Sequence, residues 1–390
     1  MSTVDLVYFN AGGGHRAAAV ALQAAICEQG LPWRVRLVDL TQVLDPHNAF
    51  RKATGFAPED FYNGRLARGW TLGLAQELKL LQGLIRLWHR ALTRRLRRHW
   101  LATQPDLVVS LVPNFNRPLY ESLRAALPGR PYVTVLTDLA DYPPNFWIVR
   151  GQAQHLVCGT PRALAQARAA GYPEQRIHAT SGMIISPEFY RAAEIDRDAE
   201  RRKLGLWPGR MTGLVMFGAH GSSVMQGIAR QLEDTPLILI CGHNRALAER
   251  LRAMKFAAPR VIVGFTPQIQ YYMRLADFLI GKPGPGSISE AVQERLPVIV
   301  VGNSWTMPQE RYNIQWIREN RAGLVLPSYR NLRRAVTEMG VRLDEFRSSI
   351  AGLRNRAVFE IPGILAKILA ARAPRVRAPE RDWQSTAIRH

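Results

Sequence analysis

The sequence predicts an α/β protein of two doubly wound domains facing each other across a cleft, with a helical C-terminal segment, and three observations carry that expectation. The chain has 390 residues, roughly two to three times an ordinary domain. Short apolar runs alternate with amphipathic stretches of helical length, the rhythm of strand-helix-strand units. That rhythm stops near 181–210, a polar, charged stretch holding Pro187 and Pro208, and then restarts. The expected domains are therefore 1–185 and 186–370, with 371–390 a loose basic tail.

In the first half the candidate strands are 4–9, 35–40, 107–112, 132–136 and 156–158. In the second half they are 213–217, 237–241, 261–263, 278–281, 298–301 and 323–326, and from 331 onward only helical spacing remains. Two places interrupt the alternation. Positions 41–68 show no period, which suggests a long loop of the kind that binds acceptors. Over 74–101 the spacing of Leu74, Leu78, Leu81, Ile85, Trp88, Leu92 and Leu96 follows one face of a single long helix. Lys79, Arg86, Arg90, Arg94 and Arg97 fall on an adjoining face, which makes it a basic amphipathic helix suited to an anionic membrane surface.

Composition narrows the class. Apolar residues are 47% and charged residues 21%, which excludes a disordered or fibrous chain. The net charge is +21, and 46 of the 52 basic residues are Arg. An anionic membrane, nucleic acid, or an Arg-rich and Ala-rich coding bias could each produce it, and the bias accounts for most of the arginines. They are dispersed and no recognition-helix signature accompanies them, so no nucleic-acid partner is expected. Cys27, Cys158 and Cys241 are too scattered for a disulfide framework or a zinc site. No basic lead-in and no run of 18 uncharged apolar residues is present, so neither a secretory leader nor a membrane span is expected.

Two glycine blocks carry the chemistry. The turn Gly12-Gly13-Gly14-His15 follows the first strand and opens an Ala-rich helix. Glycines there let backbone approach a ligand, and free helix-start N–H groups favour an anion. The spacing fits neither the dinucleotide fingerprint nor the P-loop. The second block, Gly281-Lys282-Pro283-Gly284-Pro285-Gly286-Ser287-Ile288-Ser289-Glu290, is again strand, glycine loop, helix. A phosphate would meet N–H groups from Gly286 to Ser289, and Glu290 could accept from two ribose hydroxyls. The plainer reading makes Ser287 to Glu290 a capping box. A third glycine turn, 217–223, follows the first strand of the second domain and would face the same cleft.

The run GGGHRAA at 12–18 and the stretch 239–325, with ICGHN, ADFLIGKPGPGSISEA, LPVIV and PQERYN, resemble the monogalactosyldiacylglycerol synthases and the processive diacylglycerol glucosyltransferases. More distantly they resemble the N-acetylglucosaminyl transferase that completes the peptidoglycan lipid intermediate. The resemblance spans about residues 4 to 330. It implies the GT-B fold, with the acceptor held by the first domain and a UDP-sugar donor by the second. It also implies inversion by direct displacement, with no bound metal and no cofactor beyond the donor. Carried over by position, Glu290 would bind the ribose and main chain around Phe265 would read the uracil edge. Gly218, Ser222, Gly286 and Ser287 would hold the diphosphate, Gln309 and Glu310 would touch the sugar, and His15 would sit at the reacting centre. His15 is the first candidate for the base and Asp138, at a strand end, the second.

The chain departs from the family at Pro143, where the synthases carry histidine, and at Ala219 and His220, which replace glycine-like positions. The reading is hexosyl transfer to a membrane lipid acceptor hydroxyl by an enzyme peripheral to the cytoplasmic face of the inner membrane. A non-lipid acceptor and a UDP-N-acetylglucosamine 2-epimerase-like activity are the alternatives.

Overall fold

The structure, a computed structural model, describes residues 1–9, 13–46, 74–142, 144–191 and 194–371. Gly12, positions 47–68 of the expected acceptor loop, Pro143 and the tail from 372 lie outside the described residues.

The first sheet holds β1 (Ser2–Tyr8), β2 (Trp33–Asp39), β3 (Leu107–Ser110), β4 (Tyr132–Val135), β5 (His155–Cys158) and β6 (Ile177–Ala179) in the order β2-β1-β3-β4-β5-β6. The second holds β7 (Gly213–Met216), β8 (Leu237–Ile240), β9 (Arg260–Val263), β10 (Phe278–Gly281), β11 (Val298–Val301) and β12 (Gly323–Leu326) in the order β12-β11-β10-β7-β8-β9. The pairings are parallel. Each of the eleven expected runs is a strand, and β6, three residues at the sheet edge, is an addition.

Parallel sheets must be covered on both faces, and the strand period of two supplies both apolar surfaces. In β1, Val4 and Leu6 enter one core while Val7 enters the other. In the second sheet Leu214 and Met216 face one cluster and Val215 the opposite one. These are the two doubly wound domains that the sequence predicts.

Two expectations are corrected. The last helix, Ala357–Ala370, sends Val358, Ile361, Leu365 and Ile368 into the core of the first sheet, beside Leu22 and Ile26. The expected second domain, 186–370, thus gives this helix to the first. The expected single helix over 74–101 is two helices, Leu74–Leu87 and His89–Thr103, broken at Trp88. Its expected apolar stripe also divides. Ile85 and Leu96 are buried with Trp100, and Leu78 and Leu92 pack against cores, which leaves Leu80, Leu81, Leu84, Leu87 and Trp88 facing outward.

One buried ion cluster ties the interdomain segment to the second sheet. Asp277, just before β10, accepts from Arg201 at 2.7 Å, Arg197 at 2.9 Å, Arg347 at 3.0 Å and the Thr212 N–H at 2.8 Å. Burial works to raise its carboxyl, but the Thr212 N–H and the arginines outweigh burial and hold it below the ordinary range. A depressed folded pKa gives stability that is in place above about pH 4 and is lost as pH falls. Asp277→Asn is expected to cost about 3 to 5 kcal/mol at pH 7, because three guanidinium groups lose their counterion. In thermal melts the gap to the parent should narrow toward pH 3; a constant gap would contradict the ionic account.

Candidate active site

In a doubly wound sheet, ligands bind beyond the carboxyl ends of the strands where the order reverses. Here the reversals fall between β1 and β3 and between β7 and β10. The glycine turns leave β1, β7 and β10 at those two points. Gly13 precedes the helix Gly14–Glu28 in left-handed backbone, φ 80°, and a Cβ there would stand 3.5 Å from that of Ala219. The turns of the two domains therefore face each other directly.

Lys282 lies between the second domain's glycine turns. A Cβ built on Gly218 would sit 4.0 Å from Lys282 Cε, and one on Gly284 3.4 Å from it. The Lys282 ammonium donates to Oε1 of Glu310 at 3.2 Å, and Glu310 is only 5% exposed. Asn313, fully buried, donates to the Pro283 carbonyl at 2.8 Å and fixes the loop. Gln309, half-buried, turns its amide toward Met307 Sδ.

The helix Pro285–Gln293 opens on Gly284 with no side-chain cap, so the capping-box reading of Ser287 and Glu290 does not apply. Pro285 has no N–H and the Ile288 N–H donates to the Gly284 carbonyl at 3.1 Å. The N–H groups left for an anion are therefore those of Gly286 and Ser287, a narrower set than Gly286 to Ser289. A Cβ on Gly286 would meet no protein atom, so the protein's own packing does not demand glycine there. Close approach of a ligand would. Glu290 is half-buried, and its carboxylate makes no hydrogen bond or ion pair among the described residues. Burial alone pushes its carboxyl up to about 7.

Ser222 is buried at the start of the helix Val224–Gln231, where its hydroxyl accepts from the Val224 N–H at 3.4 Å. Phe265 is 61% exposed and stacks on His243, with ring centroids 4.2 Å apart and planes within 14°. The pair forms a flat aromatic surface beside the β7 turn, since the His243 N–H donates to the Ala219 carbonyl.

From the first domain, His15 Nδ1 shares a 3.1 Å hydrogen bond with the Thr137 hydroxyl. Burial holds its imidazole down to about 4; a backbone hydrogen bond at Leu111 opposes this and nearby Lys282 reinforces it. Asp138, 8% exposed, accepts from the indole N–H of Trp147 at 2.8 Å. Burial pushes its carboxyl up to about 7; the Trp147 bond and Lys282 pull down while Glu310 and Asp141 push up. Trp147 is itself fixed, since its backbone N–H donates to Asp141 Oδ1 at 2.7 Å. The field that Asp138 feels from Glu310 and Lys282 shows that the two domains meet here. Lys282, Trp147 and His243 were not singled out from the sequence. Lys282 stood inside the glycine block, and its charge was the available signal.

The glycosyltransferase family 28 C-terminal domain matches residues 214–350. Monogalactosyldiacylglycerol synthase 2 of Arabidopsis thaliana is 26% identical over 95% of this chain and 82% of its own length. Among solved structures, Acinetobacter baumannii MurG superposes with a TM-score of 0.57 at 14% identity, covering 94% of this chain and 100% of its own. Arabidopsis thaliana UGT89C1, complexed with UDP, superposes with a TM-score of 0.61 at 14% identity, covering 95% and 100%. These likenesses show the GT-B fold, and monogalactosyldiacylglycerol synthases are relatives along nearly the whole length of the chain.

Proposed function

We propose that this chain is an inverting hexosyltransferase that moves a sugar from a UDP-sugar to the hydroxyl of a diacylglycerol-like membrane lipid. The observation that carries this reading is the placement of Lys282 between two glycine turns of the second domain, where its charge acts on both Asp138 and His15 of the first. In the reaction the acceptor oxygen attacks the anomeric carbon, the bond from that carbon to the diphosphate breaks, and UDP leaves with the electron pair. Lys282 and the N–H groups of Gly286 and Ser287 would stabilise the departing charge. Glu290 would accept from the ribose hydroxyls, and the Phe265 and His243 surface would carry the base. No cofactor beyond the donor enters this reading.

The acceptor proton must go to a base on the first domain. A base works best when its pKa lies near the working pH. Asp138, at about 7, meets that condition better than His15, at about 4. We therefore assign the proton to Asp138 and give neutral His15 the task of orienting the acceptor hydroxyl. This reverses the order in which the sequence ranks them.

The lipid acceptor draws support from the synthase relatives and from the outward face of Leu80, Leu84, Leu87 and Trp88, with Leu87 77% exposed. No helix among the described residues is long and apolar enough to cross a membrane. Contact would be peripheral, and the basic charge of the chain suits the anionic cytoplasmic leaflet of the inner membrane. The test is incubation with radiolabelled UDP-glucose, UDP-galactose and UDP-N-acetylglucosamine plus total membrane lipid. Label should enter the organic phase with one donor. Label that stays aqueous with all three, or that returns as an epimerised free sugar, would overturn the proposal.

A further inference from the structure

Four neighbouring strands of the second sheet, β10, β7, β8 and β9, end side by side, and the loop after each carries a different polar or aromatic side chain. Lys282 follows β10, His220 follows β7, His243 follows β8 and Phe265 follows β9. In the donor reading above, Lys282 meets the diphosphate at one end of this row, and the Phe265 and His243 surface meets the base at the other. His220 stands between them and has no task there. One residue back, Ala219 is the point at which the β7 turn approaches Gly13 of the first domain.

The β7 and β8 turns are locked together, backbone against backbone. Gly221 and Gly242 both hold left-handed backbone, φ 57°. A Cβ on Gly242 would collide with the Ala219 carbonyl oxygen, and one on Gly221 would stand 2.8 Å from that of Cys241, so each turn needs glycine where it meets the other. The His243 N–H donates to the Ala219 carbonyl at 2.8 Å, the Gly221 N–H to the Gly218 carbonyl at 3.2 Å and Asn244 Nδ2 to the His220 carbonyl at 3.4 Å. Three carbonyls of the β7 turn are thus occupied within the two turns, which lowers the repulsion that an anion would meet there. The His220 imidazole is half-buried and tilted 47° against that of His243, with ring centroids 6.1 Å apart. It therefore sits at a defined point of a stiff loop, on the side of the β7 turn next to β8.

We propose that His220 is a further donor-binding residue, whose ring N–H holds the diphosphate from the β8 side of the β7 turn while Lys282 holds it from the β10 side. A diphosphate spreads its charge over oxygens on two phosphorus atoms, and Lys282 with the N–H groups of Gly286 and Ser287 reaches it from one direction only. An imidazole N–H on the opposite flank adds a charge-assisted bond. The assignment rests on the UDP-sugar reading above. It concerns a residue that belongs to this chain and not to the resemblance, since His220 stands where the synthases carry a glycine-like position.

The test is calorimetric titration of the full chain with UDP and with uridine at pH 7.5. His220→Ala should weaken UDP by about tenfold, since one charge-assisted hydrogen bond is lost. Uridine, which has no phosphate, should bind within about twofold of the parent. His220→Gln keeps a side-chain N–H donor and should recover part of the UDP affinity. A merely structural ring would not separate the two ligands, because loosening the β7 and β8 turns would disturb His243 and weaken uridine as well. Equal weakening of UDP and uridine in both variants would therefore overturn the assignment, as would UDP affinity that His220→Ala leaves unchanged. Either result would leave the donor reading standing. A parent chain that binds neither UDP nor uridine would overturn the donor reading itself, and the role of His220 with it.

Discussion

Asp138→Asn is expected to lower kcat by about 10² to 10⁴ while UDP affinity stays within about twofold, the behaviour of a lost proton acceptor. Asparagine keeps the acceptor oxygen that the Trp147 indole needs, so the loop geometry should survive. The parent's rate should carry the signature of the base. With Asp138 at about 7, kcat at saturating donor should climb about tenfold per pH unit below 7 and level off above it. If His15, at about 4, were the base, the profile would be flat from pH 5 to 8. His15→Ala should also slow the reaction but leave the limb near 7 in place. A limb that survives in Asp138→Asn would take the base role away from Asp138, and a flat profile in the parent would return it to His15.

Stability separates a catalytic Asp138 from a structural one. Its folded pKa lies above the unfolded value, so ionisation of the carboxyl works against folding, increasingly so from about pH 4 to 7. Asp138→Asn is thus expected to be more stable than the parent at pH 8, by on the order of 3 kcal/mol, with little difference at pH 4. A variant that is slow and more stable at pH 8 has lost a group kept for chemistry. A variant that is slow and less stable has lost a structural prop.

Much of this architecture is readable because parallel strands are buried on both faces and so appear as unbroken apolar runs such as Leu237–Ile240. The three residues of β6, none of them buried, leave no such trace. The break at Trp88 is invisible to periodicity, since Leu92 and Leu96 keep step with Ile85 across it. Nor does spacing tell which of two leucine stripes faces the sheet: Ile85 and Leu96 went inward, Leu80, Leu84 and Leu87 outward. The return of Ala357–Ala370 to the first domain is a matter of topology, not of composition. In the site, the glycine turns are legible because a left-handed turn and a bare helix start are local needs. The pairs that tune the chemistry join residues apart in sequence, as Lys282 with Glu310 and Asp138 with Trp147, and only the fold brings them together.

Glu290→Ala is expected to weaken UDP binding by about a hundredfold, because two hydrogen bonds to a charged acceptor are lost, roughly 3 kcal/mol. Glu290→Gln, which keeps one acceptor oxygen and no charge, should lie between, at about tenfold. Neither variant should lose stability at pH 8, since the carboxylate has no partner among the described residues and burial already works against its charge. The titration of Glu290 gives a second readout. Ribose hydroxyls donate to the ionised form, so binding should draw the pKa down from about 7 and release a proton between pH 6 and 7. Affinity should therefore rise with pH up to about 7 and level off. Uridine is the cleaner probe, because it lacks the phosphate that itself titrates near pH 6. In the parent, calorimetry with uridine at pH 6.5 should give an enthalpy that changes with the ionisation enthalpy of the buffer. In Glu290→Gln that dependence should vanish. Equal uridine affinities in parent and Glu290→Ala would remove the ribose from this position, and with it the main support for seating a nucleotide on the β10 turn.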